Sequence, residues 1–117
     1  MARAKIFTFG ECLLDIIFKD GQAVASRPGG SMLNAAVTIG RLGSEVFFIG
    51  DTGKDRIGSI IRSFLSENGV GLDYFMDTHE RSTISLAFLD DKKNSSYLFF
   101  NPNDAGEDQP LAVLRED

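Results

Sequence analysis

Apolar and polar positions change rhythm repeatedly along this chain, and each change marks an element. Residues 5–10 (KIFTFG) are a short β-prone run closed by Gly10, and 12–18 (CLLDIIF) are a second apolar run broken by Asp15. The turn residues Lys19, Asp20 and Gly21 predict a hairpin into a short strand at 22–25. Pro28, Gly29 and Gly30 then break the pattern. Over 31–42 the spacing becomes helical, with Met32, Ala35, Ala36, Ile39 and Leu42 on one side and Gly43 placed to cap the C-terminus.

Residues 45–49 (EVFFI) read as a continuous buried strand closed by Gly50, and 52–58 as loop and helix entrance. The cleanest pattern comes next: Ile57, Ile60, Ile61, Phe64 and Leu65 recur at helical spacing, and Asn68-Gly69 ends that helix. Strand, helix, strand, helix with short links predicts parallel strands joined by right-handed crossovers. The last third differs. Residues 83–90 (TISLAFLD) and 95–100 (SSYLFF) flank the polar turn Asp91, Lys92, Lys93, Asn94, which predicts an antiparallel hairpin. Both arms are apolar on both faces, so each face needs a cover: a ligand below and a partner, such as another subunit, above. The end, 109–117 (QPLAVLRED), reads as the opening turns of a helix that the chain does not finish.

Composition narrows the classes. The 117 residues amount to one domain, 43% hydrophobic and 25% charged, as in ordinary globular proteins. A net charge of −5 without a basic stripe makes a poor polyanion binder, which argues against nucleic acid and anionic membranes as partners. No apolar run approaches a membrane span or a signal peptide. The single cysteine, Cys12, allows neither an internal disulfide nor a cysteine metal cage, and a cytoplasmic location is expected.

Nucleotide loops do not fit. Gly53-Lys54 is followed by Asp55 where a phosphate loop needs Ser or Thr, and its upstream glycine position is Phe48. Gly29-Gly30-Ser31 lacks the dinucleotide fingerprint, and Asp51, Gly53 and Asp55 lack the remaining features of a calcium loop. His79, the only histidine, reads as a solvated loop residue, and Asp90, Asp91, Lys92 and Lys93 as hairpin-tip charges. Asp15 differs, because a carboxylate within Leu13-Leu14-Asp15-Ile16-Ile17 is costly to bury unless something hydrogen-bonds it. Strand alternation turning it to solvent is one reading; an acceptor gripping two hydroxyls of a diol is the other. Gly29-Gly30 leading into Ser31 and Asn34 likewise reads either as a plain turn with Asn34 exposed or as a close-approach ligand site, with Asn34 offering a donor and an acceptor.

Taken together, these stretches resemble the N-terminal part of the ribokinase-like, or PfkB, carbohydrate kinases. The matching pieces are Gly10-Glu11-x-Leu13-x-Asp15, Pro28-Gly29-Gly30-x-x-x-Asn34-x-Ala36, Arg41-Leu42-Gly43, Ile49-Gly50-Asp51-x-Gly53-x-Asp55-x-x-Gly58 and Asn68-Gly69-Val70. They run in order over roughly residues 5 to 110. The resemblance implies an α/β fold: a Rossmann-like, ribokinase-type parallel sheet with flanking helices and a small antiparallel β lid, its strands at about 13–25 and 83–101, with residues 1–117 forming the N-terminal part of the kinase domain and the chain looking truncated at its C-terminus. It implies substrate binding by Asp15, Gly29, Gly30, Ser31, Asn34 and Phe99, with the glycine pair as a lid hinge, and it places no catalytic residue and no metal ligand in this chain. The partners implied are a small-molecule sugar and, through the lid, a second copy in a homodimer.

In that family a sugar hydroxyl attacks the γ-phosphoryl of ATP while lid closure excludes water. In the same family the Gly-rich anion hole, its catalytic Asp and the ATP pocket lie downstream of the stretch that residues 1–117 resemble, and no Gly-x-Gly-Asp occurs here. ATP and Mg²⁺ are therefore expected in the complete enzyme and not on this chain alone. The Pro-Gly-Gly-Ser hinge and the Gly-Glu-x-Leu-x-Asp start favour a fructokinase-like member, whereas Phe99-Phe100-Asn101-Pro102 lacks the Arg that fructokinases usually carry there. The alternatives are a non-catalytic sugar-binding or dimerisation module, or a ribokinase, nucleoside or 2-keto-3-deoxygluconate kinase relative. A complete small α/β fold of unrelated function is disfavoured by the unfinished terminal helix.

Overall fold

In a computed structural model of the chain, the described residues are 4–78, 80–92, 94–101 and, for the backbone alone, 113–116. His79, Lys93 and residues 109–112 of the expected terminal helix lie outside them. In chain order the elements are β1 (Ile6–Phe9), β2 (Leu13–Lys19), β3 (Gln22–Gly29), α1 (Ser31–Arg41), β4 (Val46–Gly53), α2 (Arg56–Glu67), β5 (Val70–Gly71), β6 (Phe75–Thr78), β7 (Ile84–Leu89), β8 (Ser95–Phe100) and β9 (Val113–Glu116).

The strands divide between two sheets. The core sheet is parallel throughout: β4 pairs with β1 on one side, and with β5 and then β6 along the other. Alternation on β1 and β4 sets its faces. Thr8, Val46 and Phe48 point one way and are buried, and Phe48 packs with Leu33, Ala36 and Val37 of α1 and Ile61 and Leu65 of α2 in one hydrophobic core. Phe7 and Phe47 point the other way, stacked at 5.4 Å with Tyr74 edge-on, and Phe9 on that face is 74% exposed. Both helices thus cover the same face, as the α/β reading of the chain requires of at least one.

The second sheet runs β3-β2-β7-β8-β9 and forms the lid. Its joins are antiparallel except for β2 with β7, which is parallel. The β2–β3 hairpin turns where expected, through Asp20 and Gly21, both at positive φ (52° and 76°) as a tight two-residue hairpin demands. At the β7–β8 tip Asp90 Oδ1 accepts from the backbone N–H groups of Lys92 and Asn94, which accounts for that charge without a ligand.

Several boundaries differ from the expected ones, each for a tertiary reason. β3 does not stop at residue 25 but continues through Pro28, which pairs in register with Leu14; it is an edge strand, where the missing N–H of proline costs nothing. β4 runs on through Gly50-Asp51-Thr52-Gly53, because β6, which the apolar pattern did not mark, gives that glycine-rich stretch a partner. On α1 the buried residues are Leu33, Ala36 and Val37, while Met32 and Leu42 are exposed, so the apolar face is rotated from the expected one. The terminal helix is overturned over 113–116: this stretch is a strand in register with 95–98 on the open edge of β8, where the ladder satisfies its backbone.

Candidate functional site

Two short crossings carry the chain between the sheets at the end of the lid nearest α1. One is residues 10–12 between β1 and β2; the other is the step from Gly29 to Gly30 between β3 and α1. They touch. Gly30 has φ 118° and ψ 138°, a conformation essentially reserved to glycine, and a β-carbon there would lie 2.5 Å from the Glu11 carbonyl oxygen. Gly30 is also the N-cap of α1, and no side chain caps that helix, so its first N–H groups have no partner from the cap. Asn34, one turn in, gives its N–H to the Gly30 carbonyl (2.9 Å) and is exposed.

The third crossing, residues 80–83 between β6 and β7, is clamped from the start of α2. Asp55 caps α2 by accepting from Gly58 N–H (2.8 Å), and it also takes the N–H (2.8 Å) and the hydroxyl (2.6 Å) of Ser82. Thr52 Oγ1 and the Gly53 N–H meet the same Ser82 hydroxyl oxygen at 3.0 and 3.1 Å. The crossing passes so close that a β-carbon on Gly53 would lie 2.4 Å from the Glu80 carbonyl oxygen. Burial pushes the Asp55 carboxyl up, but the Ser82 hydroxyl and the N–H groups of Ser82, Gly58 and Ile57 more than offset it and hold the group below its ordinary value. The Gly50-Asp51-x-Gly53-x-Asp55 run is therefore a structural clamp on the lid's root.

Asp15 lies mid-way across the lid. Register places Arg27, Asp15, Ser85 and Phe99 side by side on β3, β2, β7 and β8, on one face of the sheet. Asp15 is half-buried and accepts a hydrogen bond from the Ser85 hydroxyl. Gly29 adjoins it, a β-carbon at Gly29 lying 3.8 Å from that of Asp15. The structure thus brings together Asp15, Gly29 and, through Ser85, Phe99. Ser31 and Asn34 sit at the exposed entrance of α1 directly after Gly30.

Beside this face opens a crevice of about 430 Å³ at the carboxyl ends of β1, β4 and β6, the position where open α/β sheets bind ligands. Glu11, Asp51, Arg81, Thr83 and Asn101 are among its lining residues, and none of the six expected binding residues is. Thr83 and Asn101 lie two residues along the chain from Ser85 and Phe99, just outside the β7–β8 ladder. Sequence reasoning missed these residues and Ser85. The alternation of Thr83, Ser85 and Ala87 was a signal for Ser85, since a serine between apolar neighbours in a covered strand needs a partner.

Cys12 borders the crevice, but its thiol is 7% exposed and donates to the Asp51 carbonyl (3.3 Å). Burial, with the nearby charge of Asp51 and against a lesser opposing effect of Arg62, pushes it up to about 12. A thiol that is not ionised is not a nucleophile. Native protein at pH 8 is expected to resist iodoacetamide for hours while urea-unfolded protein is alkylated at Cys12 within minutes; rapid alkylation of the native form refutes this. Among the described residues no cluster of His, Cys, Asp and Glu side chains is arranged to hold a metal ion, and no helix is long and apolar enough to cross a membrane.

Known proteins share this geometry. The model of the pfkB family of carbohydrate kinases matches residues 3–117. The chain is 37% identical over 79 residues to the 5-dehydro-2-deoxygluconokinase of Photobacterium profundum, covering 68% of this chain and 24% of that protein. It is 32% identical over 97 residues to the fructokinase of Escherichia coli, covering 82% of this chain and 32% of that one. The crystal structure of fructokinase with bound ATP from Xylella fastidiosa superposes with a TM-score of 0.75 at 28% identity, over 87% of this chain and 34% of that one. The chain thus spans about a third or less of the length of these relatives.

Proposed function

Because this chain belongs to the pfkB family of carbohydrate kinases, we propose that it forms the sugar-holding part of an ATP-dependent sugar kinase of the fructokinase type. The observation that carries this reading is Asp15, a half-buried carboxylate set in an apolar lid strand, beside Gly29 and the crevice at the strand ends. A carboxylate is an acceptor only and suits the hydroxyl donors of a sugar. The missing side chain at Gly30 lets the Glu11 crossing pack against the entrance of α1, and the Asn34 amide offers a donor and an acceptor one turn along α1. Phe99 supplies an apolar flank on the same face. Swinging of the lid about its root crossings closes it over the sugar and excludes water.

Among the described residues no cluster of His, Cys, Asp and Glu is arranged to hold a metal ion, and on this proposal ATP, Mg²⁺ and phosphoryl transfer belong to parts of a full-length kinase that residues 1–117 do not represent. The outer lid face, with the stacked Phe18–Phe88 pair and the half-exposed Phe100, is the surface proposed to meet a second copy. A cytoplasmic location is part of the same proposal.

One observation favours a second reading of the substrate. Arg27 is exposed on the Asp15 row and makes no ion pair with a carboxylate among the described residues, so its guanidinium is open to an acidic sugar. The relative named as a 5-dehydro-2-deoxygluconokinase is compatible with that choice. Calorimetric titration with D-fructose and with 2-keto-3-deoxygluconate separates the two. Asp15→Ala and Asn34→Ala are each expected to weaken binding of the preferred sugar by about 1–3 kcal/mol without unfolding the protein. Unchanged affinity in both variants rejects the site.

A further inference from the structure

The sugar-site reading leaves Ser85 unassigned, and any role for Ser85 in binding depends on that reading. Its side chain is 2% exposed, among the most buried polar groups of the described residues, and it sits in register with Asp15 on the next strand. Its hydroxyl donates to Asp15 Oδ1. A second candidate for that carboxylate lies on the other side: Arg27 is the cross-strand neighbour of Asp15, yet no ion pair forms between them. Asp15 is therefore oriented by a neutral donor rather than by a cation.

The difference has a chemical consequence. A guanidinium fork would occupy both carboxylate oxygens and neutralise their charge. A single hydroxyl fixes the rotamer, uses one lone pair of Oδ1, and leaves Oδ2 and the full negative charge for a ligand. Because Ser85 is buried and itself held in a strand paired on both sides, the orientation is set before a ligand arrives. We infer that Ser85 is a positioning residue for sugar binding: it locks the Asp15 carboxylate with Oδ2 presented to substrate hydroxyls.

The test is a double-mutant cycle in the full chain, read by calorimetric titration with D-fructose and 2-keto-3-deoxygluconate. Ser85→Ala is expected to weaken binding of the preferred sugar about tenfold in the Asp15 background and less than about twofold in an Asp15→Ala background. Ser85→Thr, which keeps the hydroxyl, is expected to bind within about threefold of wild type. Circular dichroism melts confirm that each variant is folded. Undiminished affinity in Ser85→Ala, or an equal loss in both backgrounds, overturns the positioning role while leaving the sugar site standing. If Asp15→Ala alone binds as well as wild type, or the wild type binds neither sugar, the sugar-site reading fails and this inference fails with it.

Discussion

Gly30→Ala is expected to lower stability by about 3 kcal/mol or more in urea denaturation. Two costs add at this position. The backbone at φ 118° and ψ 138° lies where an L residue is strained, and the new methyl would stand 2.5 Å from the Glu11 carbonyl oxygen. Neither cost can be relieved locally. The oxygen belongs to backbone between β1 and β2, so moving it displaces either the core or the lid. What survives of the fold is further expected to bind sugar weakly, because the lid root and the entrance of α1 shift together. A Gly30→Ala protein with wild-type unfolding and wild-type sugar affinity rules out this account of the junction. Gly43→Ala provides a scale: it too has positive φ, but nothing lies within 4 Å of a β-carbon there, so its loss is expected to be smaller.

Asp55→Ala is expected to cost about 2–4 kcal/mol, since the helix cap and the partner of Ser82 vanish at once. A capping role alone predicts about 1 kcal/mol, so the size of the loss tests the clamp. The pH dependence tests it separately. The Asp55 carboxyl is held below its ordinary value of 3.8 because the hydrogen bonds from Ser82, Gly58 and Ile57 outweigh burial. The unfolded chain therefore binds the proton more readily than the folded one, and stability rises with pH through that window. The contribution of Asp55 is complete above its unfolded value and is lost as pH falls through the folded one. The gap between wild type and Asp55→Ala is accordingly expected to be constant from pH 5 to 7 and to shrink below about pH 4. A gap that stays constant into acid, or a loss no larger than a cap, shows that the Ser82 bonds do not hold the crossing.

Most of the chain's regular structure was legible from spacing. On α2 Ile57, Ile61, Phe64 and Leu65 face the core as read while Ile60 is exposed, and the β7–β8 hairpin came out as read, because each depends on neighbours close in sequence. The glycine motifs pointed to the right family. What stayed hidden was whatever depends on a partner far along the chain. Asp51, Thr52 and Gly53 carry no strand signal of their own; they extend because β6 lies alongside. Asp55 looked like part of a failed metal loop and is a clamp because Ser82 arrives 27 residues later. Residues 113–116 have a helical look in isolation and pair with β8 instead.

The sequence by itself determined where α1, α2 and the two hairpins form, which residues are candidates to hold a ligand, and which family the chain resembles. Local spacing and residue chemistry are sufficient for these, since turns, caps and amphipathic faces are decided within a few residues. Only the tertiary structure decided that Asp15 is oriented by Ser85 and not by Arg27, although register makes both its neighbours. A hydrogen bond needs direction and burial as well as adjacency, and those come from how the strands pack. It likewise decided that the second glycine–aspartate motif anchors the lid, because the atoms that satisfy Asp55 belong to a crossing no local pattern connects to it.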